Sequence, residues 1–183
     1  IDGGGLALTD IEIIFSRNHR GVSFPSIPDD LAMLEWLNKR LLNDPKLIQE
    51  YAILEALRVP GNKVVLSDNF SKLGIDNCNS WGIRWSSDKH PARDEPDSEV
   101  IWFNSTELLS GNSDRSHSLE SLLQWSNEVN SKDRFSEVLV VDEEKSVVTY
   151  RISESNPTGV LRPPELNDFQ IISNMESLDL GED

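Results

Sequence analysis

The residues best suited to chemistry lie in one polar segment, residues 86–97, between two stretches whose apolar spacing predicts strands. Asp94, Glu95 and Asp97 crowd together there, and His90 precedes them. Paired carboxylates can share a proton or hold a cation, and a histidine can shuttle protons near neutral pH. The acids lack the spacing of a calcium-binding loop, and polar loops are commonly just solvated. We therefore assign no metal ligand and no catalytic residue in this segment.

The other reactive side chains are scattered along the chain. His19, His90 and His117 do not stand at the spacing of a zinc site, and no Gly-rich phosphate loop follows a predicted strand. Cys78 is the single cysteine, which excludes an internal disulfide. It follows Asp76, and an acidic neighbourhood raises the pKa of a thiol, so Cys78 does not suit a catalytic thiolate. The sequence predicts no cofactor.

Three of the five tryptophans fall on two neighbouring predicted strands: Trp81, Trp85 and Trp102. If these strands pair, we expect the indoles to stack on one face of the sheet. Aromatic side chains carry the largest buried areas in small domains, which favours a place in the core. Exposed aromatics beside acids would instead form a protein-docking surface with hot-spot anchors. Both alternatives remain open from the residues alone.

Hydrophobic periodicity predicts helices in the first third of the chain, over about 9–18, from Pro28 onward and from Pro45 onward. In the second of these, Leu31 and Leu34 share one face with Leu37 and Leu41, so we expect that helix to be well buried.

The period then changes to that of strands. Strands are predicted near 64–66, 81–85 and 98–104, then a helix from Ser118, a hairpin over 136–141 and 146–152, and a last strand at 169–172. This order predicts an α+β fold, a mostly antiparallel sheet packed on one face by the N-terminal helices and one later helix. We expect one domain over residues 1–173 and an acidic, disordered tail over 174–183.

Charge excludes several classes of function. Thirty-two acids against seventeen bases give a net charge of −15, the opposite of the footprint of a nucleic-acid-binding protein. The apolar runs are too short to cross a bilayer, and no targeting signal is visible, so we expect a cytoplasmic protein. A surface of this charge attracts basic protein partners.

The middle of the chain is similar to the SUKH superfamily, which includes bacterial toxin-immunity proteins and fungal regulators of cell-wall synthesis. The resemblance rests on four segments, namely Val65-Leu66-Ser67-Asp68-Asn69, Trp81-Gly82-Ile83-Arg84-Trp85, Asp94-Glu95-Pro96-Asp97-Ser98-Glu99-Val100 and the helix over 118–129. It covers about half of the chain, residues 28–129. The chain departs from the family where its usual Glu-Asn-Gln gives way to Asp68 and Asn69, and where residues 70–79 are inserted.

The resemblance implies a small, cytosolic, non-enzymatic and acidic protein that occludes a basic toxin. It implies that Asp94, Glu95 and Asp97 bind the partner, with Trp85 or Trp102 as the apolar anchor. Two other functions remain open. One is a regulatory or adaptor subunit of a larger assembly, whose acidic tail docks a basic partner or mimics DNA. The other is an enzyme that uses these carboxylates and His90.

Overall fold

Helices and strands form where the hydrophobic spacing predicts them, as a computed structural model of the chain shows for residues 7–75, 78–106 and 118–153. In these ranges four α-helices and five strands make an α+β fold, which confirms the predicted class. The elements are α1 (Asp10–Arg20), α2 (Asp30–Asn43), α3 (Leu47–Arg58), β1 (Lys63–Leu66), β2 (Gly82–Trp85), β3 (Ser98–Asn104), α4 (Leu119–Asn130), β4 (Phe135–Val141) and β5 (Val147–Ile152). Two short 3-10 turns, Ser67–Asn69 and Ser71–Leu73, follow β1.

The five strands pair in chain order, and every pair is antiparallel except β3 with β4. Parallel neighbours require a crossover connection, and α4 is the helix of that crossover. The predicted hairpin is confirmed as β4 and β5, joined by a turn in which Lys145 has a φ of 67°. The sheet is therefore mostly antiparallel, as expected, with one parallel pair at its centre.

Local capping signals set the helix ends. The Thr9 hydroxyl accepts a hydrogen bond from the Glu12 amide, and the Glu12 carboxylate accepts one from the Thr9 amide, which is a capping box. Gly21 ends α1 with a left-handed φ of 62°. The Asp29 carboxylate caps α2 by accepting from the Ala32 amide at 2.8 Å.

The two faces of the sheet are covered by different helices. Leu139 packs with α1 and α3, and we call this side the α3 face. The adjacent Val138 packs against Trp125 and Val129 of α4, on what we call the α4 face. The expectation that all helices lie on one face was wrong. Successive residues of a strand point to opposite sides, so the apolar runs of β3 and β4 require cover on both.

The prediction that α2 is well buried was also wrong. No residue of α2 is buried, and Leu31 and Leu34 are 67% and 55% exposed. Trp36, Leu37 and Leu41 of α2 are only partly buried, against the margin of the core. The physical reason is that α3 already lies on β1, β4 and β5, which leaves α2 only the periphery of the α3 face.

Some expectations fall on residues outside the described ranges. These are the strand at 169–172, the tail over 174–183 and the side chains of Asp76 and His117.

Candidate functional site

Residues 86–97, which we call the acidic loop, join β2 to β3 on the α4 face. Asp97 closes this loop. Its carboxylate accepts hydrogen bonds from the Ser86 amide at 2.7 Å and from the Lys89 ammonium at 2.5 Å. Partial burial raises the pKa of Asp97, but these hydrogen bonds outweigh burial and hold that pKa at about 2. Asp97 therefore stays ionised and braces the loop, instead of facing outward as the sequence suggested.

Asp94 also has an internal role. Its carboxylate accepts from the His90 amide at 2.6 Å, and its carbonyl accepts from the Trp85 indole N–H at 2.8 Å. The ring Nδ1 of His90 is occupied by the Ala92 amide at 3.2 Å. His90 is thus held by a turn of the loop, and the Asp94 carboxylate binds its backbone amide instead of its ring.

Trp85 is 4% exposed, so it offers almost no surface to a partner. It packs with Val65, Phe70 and Ile83 beneath the acidic loop. The interpretation of Trp85 as an outward anchor therefore does not fit the structure. Its hydrogen bond to Asp94 instead fixes the loop above it.

Glu95 is the most outward of the predicted residues. Its side chain is 91% exposed, and its carboxylate lies 3.6 Å from the Arg134 guanidinium. Asp88 and Asp94 are exposed on the same loop. Four acids stand against two bases in residues 86–97. The loop therefore presents a moderately acidic surface on a fixed backbone.

A cavity of about 490 Å³ opens beneath the acidic loop. Ile83 and Trp85 form part of its lining from the sheet, and Leu73 and Ile75 line it from the segment after β1. The polar groups that line it belong mainly to the loop and to Arg134. The complete lining is Val65, Leu73, Ile75, Ile83, Trp85, His90, Pro91, Ala92, Asp94, Glu95, Pro96 and Arg134.

Trp102 lies elsewhere. It is half-buried in the cluster on the α3 face, where the Lys46 ammonium stands 5.6 Å from the centre of its ring. Alternation along β3 sends Ile101 and Phe103 to the α4 face and Trp102 to the other. The structure therefore does not bring Trp102 together with Asp94 and Glu95.

The three strand tryptophans do not share a face, contrary to expectation. Trp85 lies on the α4 face, whereas Trp81 packs with Trp102 on the α3 face. The Trp81 amide donates to the carbonyl of Val100, the residue that already pairs with Gly82. Two residues of one strand thus oppose one residue of its neighbour, and this bulge shifts the alternation by one position.

A buried carboxylate, Glu99, supports the acidic loop from the next strand. It accepts hydrogen bonds from the Ser80 hydroxyl at 2.7 Å and from Lys132 and Arg134 at 3.0 Å each. Burial raises the pKa of Glu99, but hydrogen bonds from Ser80, Cys78 and Lys132 leave it below its ordinary value. Arg134 thereby joins the buried Glu99 to the exposed Glu95.

Cys78 donates to the Glu99 carboxylate at 3.2 Å. Burial raises the pKa of this thiol, and the charge of Glu99 adds to the effect. The direction agrees with the sequence prediction, but its causes in the structure are burial and Glu99, whereas the prediction rested on the neighbouring Asp76.

A second buried carboxylate, Glu137 on β4, was missed from the sequence. The Arg84 guanidinium of β2 donates to both of its oxygens, at 2.8 and 2.7 Å, and Ser98 of β3 donates at 3.0 Å. Arg151 of β5 donates at 3.3 Å. The available signal was a charged residue inside an apolar strand, as at Arg84 between Ile83 and Trp85.

Within residues 7–75, 78–106 and 118–153, no three His, Cys, Asp or Glu side chains gather as metal ligands would. None of the α-helices in these ranges has the length and hydrophobicity needed to cross a bilayer.

The comparisons with known proteins add no family to this description. No model of a protein family matches the chain, and no curated protein sequence matches it significantly.

Proposed function

We propose that the protein is a non-enzymatic, cytosolic binding domain that recognises a basic protein through the acidic loop. An immunity protein that occludes a basic toxin is the specific form we favour, as the resemblance to the SUKH superfamily implies. The observation that carries the proposal is the pair of exposed carboxylates, Asp94 and Glu95, at an apolar cavity.

The support beneath the loop favours binding of a partner without rearrangement. Asp97 ties the two ends of the loop together, and Trp85 holds its middle at the Asp94 carbonyl. A surface that is already ordered loses less conformational entropy when a partner docks. The loop therefore meets the requirement that an occluding protein hold its contact residues in place.

The overall charge favours a basic partner. A net charge of −15 attracts a positively charged protein over a distance and raises its association rate, most strongly at low ionic strength. The exposed Glu95 and Asp88 then act at short range, where a positive cleft of the partner would approach.

The local chemistry favours binding over catalysis. The Cys78 thiol is held protonated by burial and Glu99, which does not suit a nucleophile. The Nδ1 of His90 accepts from the Ala92 amide, and the Asp94 carboxylate bonds to the His90 backbone instead of orienting its ring. A base oriented by a carboxylate is the arrangement that nucleophilic catalysis generally uses.

The alternative of an adaptor subunit has one observation in its favour. Leu31 and Leu34 expose an apolar side of α2. A larger assembly that uses this side would be held by apolar contacts and would resist salt.

The test combines capture of partners with a matched pair of charge reversals. Asp88→Lys with Glu95→Lys reverses two exposed acids of the loop, and Glu143→Lys with Glu144→Lys makes the same change of charge in the β4–β5 turn. Asp94 and Asp97 are left intact because they hold the loop backbone.

For a partner captured from native lysate at low salt, we expect the loop variant to associate about tenfold more slowly than the turn variant. The rate should converge with that of the native chain at high salt. Equal rates for the two variants would refute the assignment to the loop. A set of partners retained at high salt by both variants, and lost on Leu34→Asp, would favour the adaptor.

A further inference from the structure

The proposed function uses the exposed acids of the acidic loop and leaves the cavity beneath the loop without a role. Its volume of about 490 Å³ lies in the range of sites that hold a bound group. Ile83 and Trp85 line it, yet neither side chain is exposed in the folded chain. Leu73, at the end of the second 3-10 turn, is 45% exposed and also lines the cavity. The part of the apolar lining that a bound group can contact is therefore Leu73, together with the exposed Pro91 and Ala92 of the loop.

We propose that this cavity receives one large apolar side chain of the basic partner, flanked in the partner by lysine or arginine. The inference rests on the proposed function and names the feature that the partner must carry. Burial of an aromatic or long aliphatic group against the exposed lining residues Leu73, Pro91 and Ala92 supplies the apolar contact. The flanking basic residues then face Asp94 and Glu95.

The distribution of charge around the cavity selects this occupant. The exposed residues Asp94 and Glu95 line the cavity from the loop, while the sheet residues of the lining are apolar. Arg134, directly before β4, also lines the cavity, and its guanidinium is already paired with Glu95 and Glu99. An anionic group would face these carboxylates, and a wholly polar segment would leave the apolar lining uncovered. A basic segment with an apolar residue at its centre would pair with the carboxylates and cover the apolar lining. Residues that contribute most of the binding energy at protein interfaces are commonly large side chains that fill a pocket surrounded by polar contacts.

This arrangement replaces the anchor expected from the sequence. Trp85 belongs to the wall of the pocket, and the anchor comes from the other molecule. The hydrogen bond from the Trp85 indole to the Asp94 carbonyl couples the wall to the acidic loop. Occupation of the cavity should therefore change the environment of this N–H, which gives a direct spectroscopic signal.

Two peptides of equal charge serve as probes, acetyl-Lys-Arg-Gly-Phe-Gly-Arg-Lys-amide and its analogue with Ser in place of Phe. Each is titrated into the native chain and followed by 1H–15N NMR, including the indole N–H of Trp85. Leu73→Trp fills the mouth of the cavity, and Leu31→Trp makes the same change on the exposed side of α2 as the matched control. Thermal unfolding verifies that both variants fold.

We expect the native chain to bind the Phe peptide about tenfold more tightly than the Ser peptide. The difference should disappear in Leu73→Trp and persist in Leu31→Trp, with the Trp85 indole shifting only on addition of the Phe peptide. If the native chain binds the two peptides with equal affinity, the cavity inference is overturned. If the Asp88→Lys and Glu95→Lys pair then weakens the binding of both peptides, the proposed function still stands.

Two other outcomes would also overturn the inference. Failure of both peptides to bind at low ionic strength would overturn the cavity occupant, whereas the proposed function is decided separately by the capture of a basic partner with the loop and turn variants. Concentration-dependent dimerisation of the native chain that Leu73→Trp abolishes would instead place a second copy of this chain in the cavity.

Discussion

Replacement of Asp97 by Asn tests whether the acidic loop is held by its own carboxylate. The pKa of Asp97 is about 2 against an ordinary 3.8. At 1.36 kcal/mol per pKa unit, this difference corresponds to about 2 kcal/mol of folding free energy before solvent screening is considered. The Lys89 side chain is 36% exposed, so solvent screens the ion pair. We therefore expect Asp97→Asn to lower the free energy of unfolding by about 1 kcal/mol at neutral pH.

The pH dependence gives the sharper measurement. Because the folded state has the lower pKa, the contribution of Asp97 is complete above 3.8 and is lost as the pH falls toward about 2. Urea unfolding of both chains, from neutral pH down to the lowest pH at which the native chain folds, should show the stability gap closing over that window. Glu144→Gln, an exposed acid, serves as the control and should show no gap. A gap that stays constant or widens with falling pH would refute the reasoning.

Two further predictions concern the stability of the core. Glu137→Ala should lower the free energy of unfolding by about 3–5 kcal/mol, because it leaves the buried Arg84 guanidinium without its main acceptor. In urea unfolding, the double variant Arg84→Met with Glu137→Leu should recover much of this loss. A double variant as unstable as Glu137→Ala would count against the explanation. Leu54→Ala in α3 should lower the free energy of unfolding by about 2–5 kcal/mol, because Leu54 is buried. Leu34→Ala in α2 should lower it by less than about 1 kcal/mol, because Leu34 is exposed. Similar losses of stability in thermal unfolding of the two variants would contradict the peripheral position of α2.

The order and type of the elements could be predicted because they depend on local signals. The first helix was expected over about residues 9–18 and is found at Asp10–Arg20, within two residues at each end. The β4–β5 hairpin is equally local, since its strands meet across a short turn. The parallel pairing of β3 with β4 is not local, and hydrophobic spacing carries no direct information on which strands become neighbours.

The site was predicted only in part, for reasons that depend on the tertiary structure. The sequence located the acidic loop and the exposed Glu95. It could not indicate that Asp97 is used within the loop, because its partners Ser86 and Lys89 lie eight or more residues away. It also could not place Trp81, because a bulge at this position puts its side chain on the face opposite to the one that strict alternation predicts.

The ion pair between Arg84 and Glu137 joins strands that are not neighbours, since β3 runs between them and contributes only the Ser98 hydroxyl. A slip of β4 by one residue would turn Glu137 to the opposite face and leave both charges buried without each other. The ion pair therefore stabilises the native register of β4 relative to a shifted one, and the free-energy difference it contributes is larger than that of a single apolar contact. A chain without it should still collapse around the same core, yet with its central strands free to settle in more than one alignment.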